Sequence, residues 1–246
     1  TLVDASSWAE LETMEELELG LAGARKVQSV IDEHEWLTVV QEVAEAQGFF
    51  HWELDFATVF ARGGFDLQVG NPPWVRPDVS VETLLADGDP WWMLTKKPSL
   101  ADRQERLPQT LARPGVLATV LDGAAETEVL AEFISDQTVY PIMEGRPDLY
   151  RAFMCQVWEH QKQQGISSLI HMETHFTDAK TPGLRAATYR HLRRHWQFIN
   201  ELQLFDIQHQ KIYGTHVYGR EQSPLFLHAT SLYHPDTALR SLMHDS

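Results

Sequence analysis

The amino-acid sequence predicts an α/β fold: a mixed sheet ending in an antiparallel hairpin, preceded by a helical segment and interrupted by a helical insertion. Three observations carry this. A short apolar strand, Phe65 to Gly70, stops at two prolines. An alternation of helix and strand resumes at Pro147. The last two predicted strands, Phe198 to Ile207 and Pro224 to Tyr233, follow one another with no helix between them, as a hairpin would.

Residues 1–47 read as a helical segment. Ser7-Trp8-Ala9-Glu10 has capping-box spacing. Trp8, Leu11, Met14 and Leu17 then recur at helical intervals. Gly20 and Gly23 break the run, and further helices are predicted over about 24–34 and 36–47, the latter with Leu37, Val40, Val43 and Ala44 on one side. From residue 48 to 246 the chain reads as a second, catalytic domain. Phe49 to Phe56 is aromatic and partly alternating, and Gly63-Gly64 is a turn. Asn71-Pro72-Pro73-Trp74 ends the strand, because two successive prolines lack backbone donors and no ladder continues through them. Residues 75–140 hold five scattered prolines and Trp91-Trp92, which predicts short helices and loops forming an insertion or lid, with 117–135 helical. After Pro147-Asp148 comes a helix with Leu149, Phe153, Val157 and Trp158 as its apolar set and Gly165 as its end. Ile166 to Met172 is a buried strand and Leu184 to Trp196 a helix.

Composition narrows the function. A net charge of −15 argues against a general nucleic-acid binder. The charge is uneven, however: residues 1–148 carry 10 basic and 27 acidic side chains, whereas 149–246 carry 10 and 8. Arg185, Arg190, Arg193 and Arg194, beside His191 and His195, form the densest basic cluster, read as a solvated helix face or a phosphate contact. The one cysteine, Cys155, forms no internal disulfide, which fits the cytoplasm. No apolar run reaches the roughly 18 residues of a membrane span. The first residue is Thr1, which suggests a fragment or a processed chain.

The chemistry concentrates at Asn71-Pro72-Pro73-Trp74. Open α/β sheets hold ligands at the carboxyl ends of their strands. There the Asn71 amide oxygen and the Pro72 carbonyl are two acceptors able to grip both hydrogens of one NH2 group. The prolines fix the backbone that aims them, and Trp74 offers a face on which a base can stack, worth about 1–3 kcal/mol. An exocyclic amine is a poor nucleophile because its lone pair is delocalised into the ring. Gripping both N–H bonds favours a localised lone pair that can attack an electrophilic methyl group in line. The plain alternative is an ordinary turn.

Phe65-Asp66-Leu67-Gln68-Val69-Gly70-Asn71-Pro72-Pro73-Trp74 resembles the catalytic strand and loop of the adenine-specific DNA methyltransferases. With Phe50-His51-Trp52-Glu53-Leu54-Asp55-Phe56 before it, the chain is similar to the large bacterial members, among them fused type II restriction-modification enzymes and the methylases of phage-defence systems such as BREX and DISARM. Asp148 to Phe153, Gly165 to Asp178, and Ile212-Tyr213-Gly214 with Val217-Tyr218-Gly219 resemble later parts of the same family, so the likeness spans roughly 48–235. It implies a Rossmann-like methyltransferase fold, S-adenosylmethionine as cofactor, and DNA as partner, with an adenine flipped out of the duplex. It also implies partner subunits of a restriction or defence system. On this resemblance Asn71 and Pro72 hold the amine, Pro73 stiffens the loop and Trp74 stacks on adenine. Asn71 and Phe153 lie near the cofactor, and Tyr213 lines the base pocket or packs in the hairpin core. The family's glycine-rich cofactor loop has no counterpart in residues 1–64. Gly20-Leu21-Ala22-Gly23 lies in helical sequence, so the chain reads as lacking its cofactor half.

Other candidates are weaker. His171 and His175 stand four apart, but on a strand running into a loop and without a third ligand, so no metal site is expected. Cys155 reads as a packed thiol and Trp91-Trp92 as core packing or a base-stacking lid. Two rival functions stay open: methyl transfer to protein glutamine or RNA, and a non-catalytic binding fragment that docks a partner through the acidic front.

Overall fold

The computed structural model describes residues 27–243. The chain divides into two compact units, Thr1–Ala57 and Thr58–Ser246. The predicted first helix, its Ser7 capping box and Gly20 to Gly23 lie outside the described residues. In the first unit, α1 (Val27–Glu33) and α2 (Glu35–Gln47) follow the predicted helices, and α2 closes on Gly48 in the left-handed conformation. The aromatic stretch after it folds as one helical turn, α3 (Trp52–Asp55). Trp52 stacks on Phe56 at 5.5 Å, and Phe50 meets Trp52 edge-on at 5.2 Å.

A further turn, α4 (Ala57–Phe60), follows in the chain. The second unit is built on five strands: β1 (Phe65–Gly70), β2 (Gln161–Met172), β3 (Leu192–Ile199), β4 (Ile212–Tyr218) and β5 (Leu227–Leu232), in spatial order β1-β2-β4-β3-β5. β1 runs parallel to β2, and β5 parallel to β3. β4 lies antiparallel between β2 and β3. The sheet is therefore mixed, but the two stretches read as a closing hairpin do not form one: β5 runs parallel to β3, and the antiparallel partner of β3 is β4, which lies between them in the chain.

Between β1 and β2 lie α5 (Val81–Gly88), α6 (Trp91–Leu94), α7 (Leu100–Leu111), α8 (Val116–Ser135) and α9 (Leu149–Glu159). The first four are the predicted insertion. Leu85, Trp92 and Val116 give it a small core of its own. Asp89, buried among them, pairs with Arg106 at 2.7 Å and Arg113 at 3.2 Å and accepts from Thr110. The Arg106 guanidinium holds the Asp89 carboxyl down at about 2. Trp92 donates its indole N–H to Thr110 at 3.0 Å, so the tryptophan pair is packed core here.

The main core lies between one face of the sheet and two helices, α9 and α11 (Pro182–His191); α10 (Thr174–Thr177) precedes the latter and α12 (Pro235–Leu242) ends the unit. Tyr150, Met154 and Trp158 of α9 pack with Leu169 of β2, Leu184 and Ala187 of α11, Leu192 of β3 and Tyr218 of β4.

Three sequence expectations need correction. The helix predicted over Leu184 to Trp196 ends at His191, and β3 begins at once. The ladder between β3 and β4 shifts register between Leu192 and Arg194, so Leu192 and His195 both face inward. The extra residue turns a period of two into three, which imitates a helix. The strand predicted from Phe198 stops at Ile199, where the Asn200 side chain bonds the backbone at Phe205 and Ile207 and shapes a loop. Gly165 does not end a helix: α9 ends at Glu159, and Gly165 lies in β2. A Cβ there would stand 2.4 Å from the carbonyl oxygen of Phe65, so the bare backbone lets β1 and β2 approach.

Of the apolar set read on α9, Trp158 is buried and Leu149 and Val157 are packed partly buried, but Phe153 departs from it. Tyr150, Arg151, Ala152, Met154 and Trp158 face inward, and Phe153 is exposed. The pattern misled because Arg151, a charged residue, is buried at the centre of that face. Its guanidinium pairs with Asp148 at 3.3 Å and Asp178 at 3.1 Å and donates to the Tyr150 hydroxyl at 3.2 Å.

Candidate active site and a buried histidine row

Asn71-Pro72-Pro73-Trp74 leaves the carboxyl end of β1, one of the two edge strands of the sheet among the described residues. Asn71 and Pro73 are exposed, Pro72 is buried and Trp74 is half-buried. The Trp74 indole N–H donates to the carbonyl of Ile170 on β2 at 2.9 Å, which fixes the ring against the neighbouring strand. That ring lies nearly parallel to Tyr213 at 5.7 Å, and Phe205 meets it at 4.8 Å. Tyr213, only 4% exposed, also stacks on Phe198, so it backs Trp74 from the sheet. Just beyond, the backbone N–H of Leu149 donates to Val75 and Arg76 pairs with Asp148, tying this loop to the start of α9. The structure thus brings Trp74 and Tyr213 together. Phe153 lies on the exposed side of α9 and has no aromatic ring partner among the described residues.

Near the same loop, a cavity of about 370 Å3 is lined by Arg76, Arg146, Arg151, Asp178 and Lys180 among others. The basic cluster read from the sequence is divided between a helix and a strand. Arg190 on α11 pairs with Glu221, and Arg193 on β3 donates to the carbonyls of Arg190, His191, Leu192 and Arg220.

Residues alternate sides along β4. Tyr213 faces Trp74, whereas Gly214 and His216 face the helix-covered side. There the sheet carries a row of imidazoles, one from each of four strands. His171 stacks on His216 at 3.8 Å, His216 on His195 at 4.5 Å and His195 on His228 at 4.6 Å. His171 is fully partnered, through Met172 and the Tyr218 hydroxyl. Burial pushes it down to about 3 and holds His175 and His216 far below the ordinary imidazole range. Neither ring nitrogen of His175 or of His216 has a hydrogen-bond partner among the described residues. Glu173, between β2 and α10, bonds His195 at 2.5 Å and Gln197 at 2.6 Å. Sequence reasoning considered His171 with His175 and missed Glu173, His195 and His216, which register alone brings together. Cys155 is a packed thiol that burial pushes up to about 12.

Among the described residues, no helix is long and apolar enough to cross a membrane. No curated protein and no solved structure matches the chain. Residues 6–90 match the family model described as Eco57I restriction-modification methylase, a span that takes in β1 and the whole Asn71-to-Trp74 loop. That stretch, about a third of the chain, is thus similar to restriction-modification methylases, in line with the resemblance at Phe65 to Trp74.

Proposed function

We propose that this chain forms the acceptor side of a DNA methyltransferase that methylates adenine at N6. The observation that carries the reading is the loop after β1: an exposed Asn71 and a ring, Trp74, clamped to β2 and backed by Tyr213. In this reading the Asn71 amide oxygen and the Pro72 carbonyl accept the two hydrogens of the adenine amine. A Trp74 already anchored by its N–H costs little to order when a base stacks on it. Arg146 and Lys180, beside Arg76 in the cavity near the loop, suit contacts to the phosphates flanking an extruded nucleotide.

The methyl donor required is S-adenosylmethionine. In this reading its pocket is completed beside β1, whose outer edge pairs with no strand among the described residues. Phe153, exposed on α9, has no partner that would tie it to such a pocket. The chain's own contribution is therefore to hold the amine and present its lone pair.

The test uses the full-length product of the gene that contains this sequence, labelled S-adenosylmethionine and three acceptors offered together: duplex DNA, RNA and protein. Label in DNA, recovered as N6-methyladenine and lowered on the order of 100-fold or more by Asn71→Ala, is the expected result. Label in glutamine or RNA, or equal labelling by the variant, overturns the proposal. Asn71 is exposed, so the substitution leaves the fold intact.

A further inference from the structure

On the helix-covered face of the sheet, three side chains from separate segments converge: Glu173 after β2, His195 of β3 and His216 of β4. Their ligand atoms all lie within 4.8 Å of one another. We propose that this trio binds a divalent transition-metal ion of the zinc class, with a fourth position open to the cavity beside it.

Four features support it. First, His216 is wholly buried and both its ring nitrogens lack a partner among the described residues. Buried polar groups in folded proteins are nearly always satisfied, so such a ring signals a missing ligand. Second, the Glu173 carboxylate is oriented from behind. Gln197 donates to Oε2 at 2.6 Å, which turns Oε1 toward His195. Metal-binding carboxylates are commonly held by such an outer hydrogen bond. Third, the space is reserved by sequence. A Cβ on Gly214 would stand 2.6 Å from Glu173 Oε1 and 2.7 Å from both His195 Nε2 and His216 Cε1. Any other residue at 214 would drive the trio apart. Fourth, a cavity of about 540 Å3 reaches Glu173 and His195 and is lined by Phe176, Tyr189, Phe226 and His228.

Two imidazoles and a carboxylate make a donor set suited to zinc, with a fourth position for water or another ligand. Ligand atoms around a tetrahedral ion at about 2.1 Å stand about 3.4 Å apart. Glu173 and His195, now hydrogen-bonded, would part slightly, and His216 would close in. His171, next in the row, is committed to Met172 and Tyr218 and is not a ligand. The ion would tie β2, β3 and β4 together on the side of β4 opposite Trp74, so its role is separate from gripping the amine.

Cobalt(II) is the probe, because a tetrahedral cobalt site absorbs visibly where an octahedral aqua ion barely does. The purified metal-free chain is titrated with cobalt(II), then with zinc(II). The expected result is one equivalent of cobalt bound with strong visible bands that zinc displaces. Zinc at about 100 times its dissociation constant then raises the thermal midpoint by about 5–10 °C. His216→Phe keeps a flat ring in the stack and should abolish the bands, and Glu173→Gln should weaken binding at least tenfold. Absence of stoichiometric binding by the unmodified chain overturns the proposal, as does unchanged binding by folded His216→Phe. If both variants unfold, the titration of the unmodified chain decides.

Discussion

The two sides of β4 pose opposite problems. On one, Tyr213 meets Trp74, Phe198 and Phe205, and the Trp74 indole N–H has a carbonyl waiting for it. On the other, His216 is packed between His171 and His195 with neither nitrogen satisfied. One-residue alternation along a strand separates them. The lesson is that stacking with one anchoring hydrogen bond settles the first side. The second is stacked as closely, but its imidazoles carry polar atoms that stacking leaves without partners.

The largest effect should come from breaking the polar side where it is satisfied. Arg151 is buried under α9, with Asp148, Asp178, Thr174 and the Tyr150 hydroxyl as partners, and Tyr150 stacks on His171 at 5.0 Å. Arg151→Met keeps the volume but strands two carboxylates. Both retain some access to water, so the cost falls at the low end for a broken buried pair, about 3 kcal/mol. Thermal unfolding should shift down by about 6–12 °C. A shift below 2 °C would mean that the network contributes orientation and not stability.

How far the sequence foretold each side follows from the same contrast. β1 and its loop are a continuous stretch, Phe65 to Trp74, and the strand's bounds match the reading. Proline chemistry marks its end within four residues. The long helix Val116–Ser135 was legible for a similar reason, since an unbroken run carries its own signal. Glu173, His195 and His216 lie on three segments, and only the registers of β2 and β3 on β4 join them. The bulge at Leu192 hid the register of β3 by giving it a helical spacing. Arg151 hid the inner face of α9 because a buried charge reads as a surface residue until its partners are known. The exposed Leu67 and Val69 on β1 show the reverse case, apolar residues of a real strand left uncovered among the described residues.

The Asp89 network in the helical insertion sharpens the comparison, because there a buried polar group is fully partnered by near neighbours. Its carboxyl ordinarily titrates near 3.8, and the Arg106 guanidinium holds it at about 2 in the folded chain. A depressed folded value means that the stabilisation is complete above about pH 4 and disappears as pH falls toward 2. Fluorescence of Trp91 and Trp92, which pack beside it, should report loosening of the insertion across that window. Asp89→Asn should lower the thermal midpoint by roughly half as much as Arg151→Met, and its stability should be flat from pH 4 to 2. A variant that keeps the slope would place its source in another carboxylate.

The smallest change tests the aromatic side alone. Trp74→Phe leaves a ring to stack on Tyr213 and on a base but removes the N–H that bonds Ile170. A single neutral hydrogen bond, half-buried, should cost about 1 kcal/mol of stability. If stacking is what Trp74 does for the acceptor, methylation by the full-length protein should fall by less than tenfold, chiefly through KM. Trp74→Ala, which removes the ring itself, should lose about 1–3 kcal/mol of base binding. Equal losses from the two variants would show that the bond to β2, by fixing where the loop sits, matters more than the ring face. The Asn71 and Pro72 acceptors would then depend on that anchor for their aim, and the order of importance within the loop would reverse.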